Sequence, residues 1–207
     1  LWQKMYRHGF WRGGVVIGSA LSALDQALWD ITGKIYGQPV YKLLGGTLRD
    51  RVKAYSHAND INSANSLIEQ GYSAFKTSGW ITTKTDFREE EVPSALAEKL
   101  SAMRNEFGPN IQIMIDNHGR SRPSLAIKQI LAAAQFNPAF FEEPTPPDSL
   151  DTLAVVRNAN TNIDLATGER LFFRWGYKDL LSRNLVDVIQ PDVCHCGGIS
   201  EIMKISS

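Results

Sequence analysis

Acidic residues follow several strand-like segments of this sequence at a nearly constant interval. Asp116 lies 26 positions before Glu142, which lies 27 positions before Glu169. Asp192 follows after another 23 positions. Each interval is about one strand plus one helix, so a parallel barrel would place these acids on neighbouring strands at one face. Taken singly, each acid is better explained as a helix cap or loop residue; the recurrence favours a shared site.

The chemistry that converging carboxylates favour is cation binding. Three acids at Asp116, Glu142 and Glu169 would repel one another unless a hard divalent ion, which prefers oxygen ligands, lay between them. We therefore predict a Mg²⁺ site, with Mn²⁺ as the alternative. Glu143 adjoins Glu142, and strand alternation directs the two side chains to opposite faces, so only one is a ligand. This spacing also disfavours a glycosidase, whose two carboxylates must face each other across the sugar.

A histidine and a lysine accompany the acids. His118 stands two residues after Asp116, so strand alternation predicts that both point into the same pocket while Asn117 faces away. An imidazole beside a bound cation is suited to proton transfer near neutral pH. Lys76 ends another strand-like segment, and on the residues alone it is equally compatible with a lysine that extends from an edge to water.

The elements that must position these residues alternate along the chain. Short apolar runs separated by amphipathic segments predict parallel strands covered by helices. The predicted strands span 52–57, 73–79, 111–118, 139–144, 163–169 and 186–192. The predicted helices span 14–36, 61–72, 91–108, 124–136, 149–159, 177–184 and 199–206, the first with Ser19 as its N-cap and Gly37 as its C-cap.

This alternation predicts an α/β fold, either an open doubly wound sheet or a partial (β/α) TIM-like barrel. Six units averaging about 26 residues suit barrel units, of which a closed barrel needs eight. The chain begins with Leu1 and ends within a helical pattern at Ser207, so we expect a piece of a longer protein.

Bulk composition excludes several classes of protein. The 207 residues carry no formal net charge and 43% are hydrophobic, which is ordinary for a globular protein and gives no electrostatic basis for binding nucleic acid or a membrane surface. No apolar run approaches the roughly 20 residues of a membrane-spanning helix. The two cysteines flank His195 and lack further zinc ligands, so we interpret "CHC" as structural and expect a cytoplasmic protein.

The motifs "DNHGR", "FFEEP", "GER" and "QPDVCHCGGI" together resemble those of the enolase superfamily, in its mandelate racemase-like branch and among its acid-sugar dehydratases. The resemblance covers nearly the whole chain. It implies that residues 1–50 are the C-terminal helical part of an α+β capping domain. It implies that residues 51–207 are the first six β/α units of an incomplete (β/α)7β-type barrel.

The resemblance also implies roles for individual residues. Asp116, Glu142 and Glu169 match the family's metal ligands, Glu142 being the first of its pair. Lys76 matches the first lysine of a Lys-x-Lys motif, whereas Ser78 replaces the second, which disfavours racemisation. His118 matches a dehydratase acid or base. Asp192 matches the acid that orients a catalytic histidine, which we expect beyond Ser207.

The implied reaction is Mg²⁺-dependent dehydration of an aldonic acid such as D-galactonate to a 2-keto-3-deoxy acid through an enediolate. The implied partner is a small acid sugar, and the implied full-length protein is a homo-oligomer. The alternatives are another acid-sugar dehydratase or racemase of the same superfamily, or a truncated relative without catalytic activity.

Overall fold

The strands of the described residues form one parallel β-sheet. In the computed structural model, which describes residues 1–81 and 88–207, six strands are hydrogen-bonded in the order in which they occur along the chain. Every neighbouring pair of strands is parallel. The strands are β1 (Ser56–His57), β2 (Ala74–Ser78), β3 (Gln112–Asp116), β4 (Phe141–Glu142), β5 (Leu165–Thr167) and β6 (Val188–Ile189). This sequential parallel order is that of a barrel, and the predicted fold class is confirmed.

Helices alternate with these strands, as predicted. They are α1 (Trp2–His8), α2 (Gly14–Tyr36), α3 (Val40–Leu43), α4 (Ile61–Glu69), α5 (Val92–Phe107), α6 (Pro123–Ala134), α7 (Leu150–Asn158), α8 (Phe173–Ser182) and α9 (Ile199–Ile205), with a 3₁₀ turn at Glu89–Glu91. Not one helix in the described part of the chain has the length and apolar character needed to cross a membrane.

Helix α2 has the predicted bounds, 14–36, but only one of its two predicted caps. Gly37 ends the helix in a left-handed conformation (φ 60°), as expected of a C-terminal glycine. Ser19 is not the N-cap, because the helix begins at Gly14 after Gly13. The Ser19 hydroxyl instead donates to the Val15 carbonyl one turn earlier, which is an arrangement of the helix interior.

Most strands are shorter than the apolar runs that predicted them. β1 and β6 lie at the edges of the sheet and each retains only two paired residues. β4 ends at Glu142 because Glu143 adopts a left-handed backbone conformation (φ 41°) and Pro144 follows it. An apolar run shows which residues are buried, whereas a strand requires a hydrogen-bonded neighbour along its length.

A buried core lies between the sheet and the helices that alternate with its strands. Ile113 and Ile115 of β3 and Phe141 of β4 are fully buried. Helix α5 contributes Leu96, Leu100 and Met103, which share one helix face at steps of three and four residues. Burial of these apolar strands fixes the position at which each strand ends, and therefore the height of the polar residues that follow.

The chain forms two compact units. One comprises residues 53–167 and 184–189, with all six strands and helices α4–α7. The other comprises residues 1–52, 168–183 and 190–207, with helices α1–α3, α8 and α9. In this second unit the carboxylate of Asp25 on α2 accepts a hydrogen bond from the Ser200 amide at the start of α9 (2.9 Å). The division into a capping domain (1–50) and a barrel (51–207) stays a prediction.

Candidate active site at the carboxyl edge of the sheet

Two of the predicted acids lie side by side at the end of the sheet. The strand register pairs Ser78 with Asp116, and Asp116 with Glu142, so these residues form one row across β2, β3 and β4. Both carboxylates are buried, at 3% exposure for Asp116 and 1% for Glu142. Because the apolar residues before them are held in the core, the strands carry these acids into an environment where an unpaired charge would be costly.

Lys76 supplies the compensating positive charge. Its Nζ lies 2.7 Å from Glu142 Oε2 and 3.0 Å from Asp116 Oδ2, and the lysine side chain is itself 7% exposed. Burial alone would lower the pKa of Lys76, but its hydrogen bond to Glu142 and the negative charges of Glu142 and Asp116 outweigh burial and raise it. One ammonium group thus serves two carboxylates, which leaves the cluster with an excess of negative charge when all three groups are ionised.

One oxygen of this cluster lacks a hydrogen-bond donor. Asp116 Oδ2 is buried and lies 3.0 Å from Lys76 Nζ and 3.1 Å from His118 Nε2, yet neither group is aligned to donate a hydrogen bond to it. Both are therefore ionic contacts rather than hydrogen bonds. The other oxygen, Asp116 Oδ1, accepts a hydrogen bond from the His118 amide at 3.0 Å.

His118 reaches Asp116 through a turn. The strand alternation invoked for the pair does not apply, since β3 ends at Asp116. His118 (φ 50°) and Gly119 (φ 63°) are consecutive left-handed residues, and this turn brings the imidazole back to the carboxylate. Half of the His118 side chain is exposed, so the imidazole joins the buried acid to the solvent-accessible edge. Such strained backbone persists only where the surroundings hold it.

Asn117 and Glu143, which directly follow Asp116 and Glu142 in the sequence, make different hydrogen bonds from those two acids. Asn117 is fully buried, and its side-chain amide donates to the Ser121 hydroxyl and the Pro144 carbonyl, both at 3.0 Å. It therefore faces away from the acids, as the sequence predicted. Glu143 is also buried, and its backbone amide donates to the Ala166 carbonyl at 2.9 Å, which links β4 to β5.

The oxygens of Asp116 and Glu142 fit a hard divalent cation. Asp116 Oδ2 is a buried carboxylate oxygen with no hydrogen-bond donor, and its row neighbour Glu142 is also a carboxylate, the ligand type that Mg²⁺ prefers. As the side chains stand, the described residues contain no group of three His, Cys, Asp or Glu arranged to hold a metal ion. Glu169, the predicted third ligand, belongs to the other compact unit, and its membership of the set stays a prediction.

Asp192 lies in a tight turn within the compact unit that contains helices α1–α3, α8 and α9. Its Oδ1 accepts a hydrogen bond from the Cys194 amide (2.7 Å), and its carbonyl accepts from the amides of His195 and Cys196. His195, which we interpreted only as part of a structural CHC motif, lies near Asp192 and Ser19: its Nε2 is 3.7 Å from Asp192 Oδ2 and its Nδ1 is 2.8 Å from Ser19 Oγ. The proximity of His195 to Asp192 could have been predicted from the sequence, because the two residues are only three positions apart.

Ser19 joins the interior of helix α2 to the loop that carries His195. The Ser19 hydroxyl donates to the Val15 carbonyl at 2.6 Å, and its oxygen also lies within hydrogen-bond distance of His195 Nδ1. Because His195 Nε2 is 3.7 Å from Asp192 Oδ2, beyond hydrogen-bond distance, Ser19, His195 and Asp192 do not form a hydrogen-bonded triad.

Two family models match the chain. Residues 60–207 match the enolase C-terminal domain-like family, and residues 1–45 match the N-terminal domain of mandelate racemase and muconate lactonizing enzyme. The first match covers more than half of the chain and contains every strand after β1, together with the row of Asp116 and Glu142.

Several relatives align over the whole chain. A protein of Ralstonia pickettii named D-galactonate dehydratase is 38% identical over 213 residues, which cover 100% of this chain and 55% of the relative. A protein of the same name from Xanthomonas oryzae is 39% identical over 214 residues, with the same coverage. The chain thus spans about half the length of these relatives.

Solved structures have the same fold. The 3,6-anhydro-D-galactonate cycloisomerase of Zobellia galactanivorans superimposes with a TM-score of 0.88 and 32% identity, over 99% of this chain and 57% of that one. A member of the enolase superfamily from Salmonella Typhimurium gives a TM-score of 0.86 and 30% identity, over 99% and 59%. With its parallel strands, its row of strand-end acids and both domain models matched, this chain belongs to the enolase superfamily, in the branch of mandelate racemase and muconate lactonizing enzyme.

Proposed function

We propose that the full-length protein is a lyase that dehydrates an aldonic acid, D-galactonate, to a 2-keto-3-deoxy acid in a Mg²⁺-dependent reaction. The observation that carries the proposal is the buried Lys76, Asp116 and Glu142 cluster with the half-exposed His118 beside it. The relatives named D-galactonate dehydratase support the choice of substrate. We also propose a cytoplasmic homo-oligomer whose partner is a small acid sugar rather than nucleic acid or a membrane.

Asp116, Glu142 and Glu169 would hold the metal. When bound, Mg²⁺ would supply positive charge next to the substrate carboxylate, where negative charge develops as the neighbouring proton is removed, and so lower the free-energy cost of that removal. The fit of Asp116 is supported by its Oδ2 oxygen, which is buried without a hydrogen-bond donor. Glu142 is preferred over Glu143 because Glu142 shares the row with Asp116 and contacts Lys76.

His118 is suited to the departure of the hydroxyl group. In the proposed reaction a base takes the proton from C2, the bond between C3 and its hydroxyl breaks, and His118 gives that hydroxyl a proton so that it leaves as water. The resulting enol then tautomerises to the 2-keto acid. The half-exposed imidazole can be reprotonated by water at its exposed side, which suits this role.

Lys76 and Asp192 would have supporting roles in the proposed dehydration. Lys76 pairs with Asp116 and Glu142, and its ammonium group would also offset part of the negative charge of the substrate carboxylate. Asp192 would orient the histidine that serves as the C2 base, as a carboxylate does when it fixes the tautomer of a catalytic imidazole. Both assignments remain parts of the proposal.

A second reaction deserves a test because one relative is named as a cycloisomerase. Both reactions can begin with proton removal next to a carboxylate, and they differ in what leaves. Ser78, where some relatives keep a second lysine, removes one of the two bases that racemisation would use. We therefore rank dehydration above racemisation and cycloisomerisation.

The decisive experiment is an acid-sugar screen on the full-length protein. We expect 2-keto-3-deoxy product from D-galactonate with Mg²⁺, none after chelation, and recovery on adding Mg²⁺ back. Product from gluconate or mannonate alone would correct the substrate, whereas a racemised or cyclised product would overturn the reaction. Absence of turnover on all acid sugars would overturn the proposal as a whole.

A further inference from the structure

A closed ring of buried hydrogen bonds lies directly behind the Asp116 and His118 turn. Asn117 Nδ2 donates to Ser121 Oγ (3.0 Å), Ser121 Oγ donates to Gln129 Oε1 (2.5 Å), and Gln129 Nε2 donates to Asn117 Oδ1 (3.0 Å). All three side chains are at most 1% exposed. Gln129 stands on the buried face of α6, where its neighbours Leu125, Ala126, Ile130 and Ala133 are apolar.

The ring has a single proton arrangement. Each amide has a second N–H, and both are used: Gln129 donates to the Gly79 carbonyl and Asn117 donates to the Pro144 carbonyl, each at 3.0 Å. If the Gln129 amide were flipped, its oxygen would face two other acceptors, Gly79 O and Asn117 Oδ1. Every donor of the three side chains has an acceptor, and a fully satisfied buried network of this kind specifies one conformation.

The ring joins three loops that follow neighbouring strands. Gly79 follows β2, Asn117 and Ser121 follow β3, and Pro144 follows β4. Backbone hydrogen bonds connect the same loops: Gly79 N to Asp116 O (2.7 Å), Asn117 N to Glu142 O (3.0 Å) and Gly119 N to Glu143 O (2.8 Å). A Cβ at Gly79 would lie 2.9 Å from Ile115 Cγ2, so the loop after β2 approaches β3 closely.

We propose that Gln129 is a positioning residue, which through Asn117 and Ser121 holds the left-handed His118 turn and keeps His118 against Asp116. Gln129 touches neither the acids nor any proposed substrate group; it acts through Asn117, the residue between Asp116 and His118. This role rests on the proposed function for its effect on catalysis. Its effect on the loops is independent of any reaction.

The test compares two variants of the full-length protein at adjacent positions of α6. Gln129→Met keeps the length of the side chain but removes both donors and the acceptor, so Gly79 O, Asn117 Oδ1 and the Ser121 hydroxyl lose their partners. The matched control, Ile130→Val, removes one buried methylene-sized group from the same helix without touching the ring. Ser121→Ala removes one hydroxyl and serves as a milder variant if Gln129→Met does not fold.

We expect Gln129→Met to lower kcat about 10- to 100-fold with little change in KM, because small misplacements of reacting groups have effects of this size. We also expect faster hydrogen exchange at the amides of Gly79, Asn117 and Gly119, while Ile130→Val changes neither quantity. The proposal is overturned if these amides exchange hydrogen at the same rate in Gln129→Met and Ile130→Val. If the wild-type protein has no acid-sugar turnover, the proposed function fails and the exchange comparison still decides the role of Gln129.

Discussion

Lys76 Nζ lies 2.7 Å from Glu142 Oε2, and both side chains are almost wholly buried. Three charged groups, Lys76, Glu142 and Asp116, therefore share a volume from which water is largely excluded, and only one of them is positive. Water no longer stabilises these charges, so each depends on the others for its stability in the folded protein. This dependence makes the cluster sensitive to single substitutions and to added cations.

Lys76→Met should destabilise the protein strongly. Removal of the ammonium group leaves two buried carboxylates without a cation, and loss of one partner of a buried ion pair costs about 3–5 kcal/mol in the free energy of unfolding. Because the pKa of Lys76 is raised, this contribution is present throughout neutral pH and is lost only as the pH rises through that raised value. Urea denaturation measures the difference.

The control for Lys76→Met is Lys34→Met, which removes an exposed pair with Asp30 of the same 2.7 Å length. Such surface pairs contribute about 0–1 kcal/mol. Added Mg²⁺ should restore part of the stability of the Lys76 variant by binding to the same carboxylates. Equal stability of the two variants would contradict the account of the cluster.

The metal-ligand prediction can be tested on neighbouring carboxylates. Asp116→Asn, Glu142→Gln and Glu169→Gln should each weaken Mg²⁺ binding, measured by calorimetry, by more than about 10-fold, since even loss of a ligand's supporting partner costs that much. Glu143→Gln, at the next position to Glu142, should leave the affinity unchanged. If Glu143→Gln weakens binding and Glu142→Gln does not, the ligand has been assigned to the wrong member of the pair.

His118→Asn should separate proton transfer from metal binding. Asparagine tolerates the left-handed conformation that this position requires, so the turn should persist while the imidazole is lost. General acid–base catalysis typically contributes about 10²- to 10⁴-fold, and we expect a loss of kcat in that range with Mg²⁺ affinity retained. Turnover of D-galactonate at the wild-type rate by His118→Asn would refute the role of the imidazole.

Lys99 on α5 should make stability depend on pH in the alkaline range. Burial lowers the pKa of Lys99 to about 8, only partly opposed by the charge of Asp60. Between that value and the unfolded pKa of about 10.4, the unfolded chain binds a proton that the folded protein does not, so the free energy of unfolding rises with pH. Because the side chain is partly exposed, we expect a rise of about 1–2 kcal/mol from Lys99.

The measurement is the difference in the free energy of unfolding between the wild type and Lys99→Met, determined by urea denaturation from pH 7 to pH 10. Burial raises the pKa of the Cys196 thiol to about 11, and this contribution has the opposite sign because it lowers stability above the ordinary thiol pKa. Cys196 is present in both proteins, so its effect cancels in the difference. We expect Lys99→Met to be more stable at pH 7 and the advantage to shrink with rising pH. A constant difference would contradict the lowered pKa.

The strand and helix order could be predicted because each element has a local pattern. Helix α2 extends to Gly37, where a left-handed glycine ends it. The row of Asp116 and Glu142 was also predictable, since the carboxyl ends of neighbouring parallel strands lie at the same edge of the sheet. Strand lengths were not predictable, because the length of an edge strand such as β1 or β6 is set by how many of its residues are hydrogen-bonded to the neighbouring strand.

The features that could not be predicted from the sequence depend mostly on contacts between residues far apart in the chain. Helix α1 was not predicted at all, and its Trp2 indole donates to the Gly197 carbonyl 195 positions away. The contact of His195 with Ser19 spans 176 positions. Gln129 has only a weak local signal, a polar residue at a position of α6 where the helix pattern calls for an apolar one.

The left-handed backbone at His118 also limits which amino acids can occupy that position. With φ at 50°, β-branched and bulky side chains are strained, whereas histidine, asparagine, aspartate and glycine are tolerated. The residue best placed to exchange protons beside Asp116 is therefore drawn from a small set of amino acids before any chemistry is considered. Within that set only histidine is ordinarily able to gain and lose a proton near neutral pH, so the conformation of the turn and the proposed role in proton transfer favour the same residue.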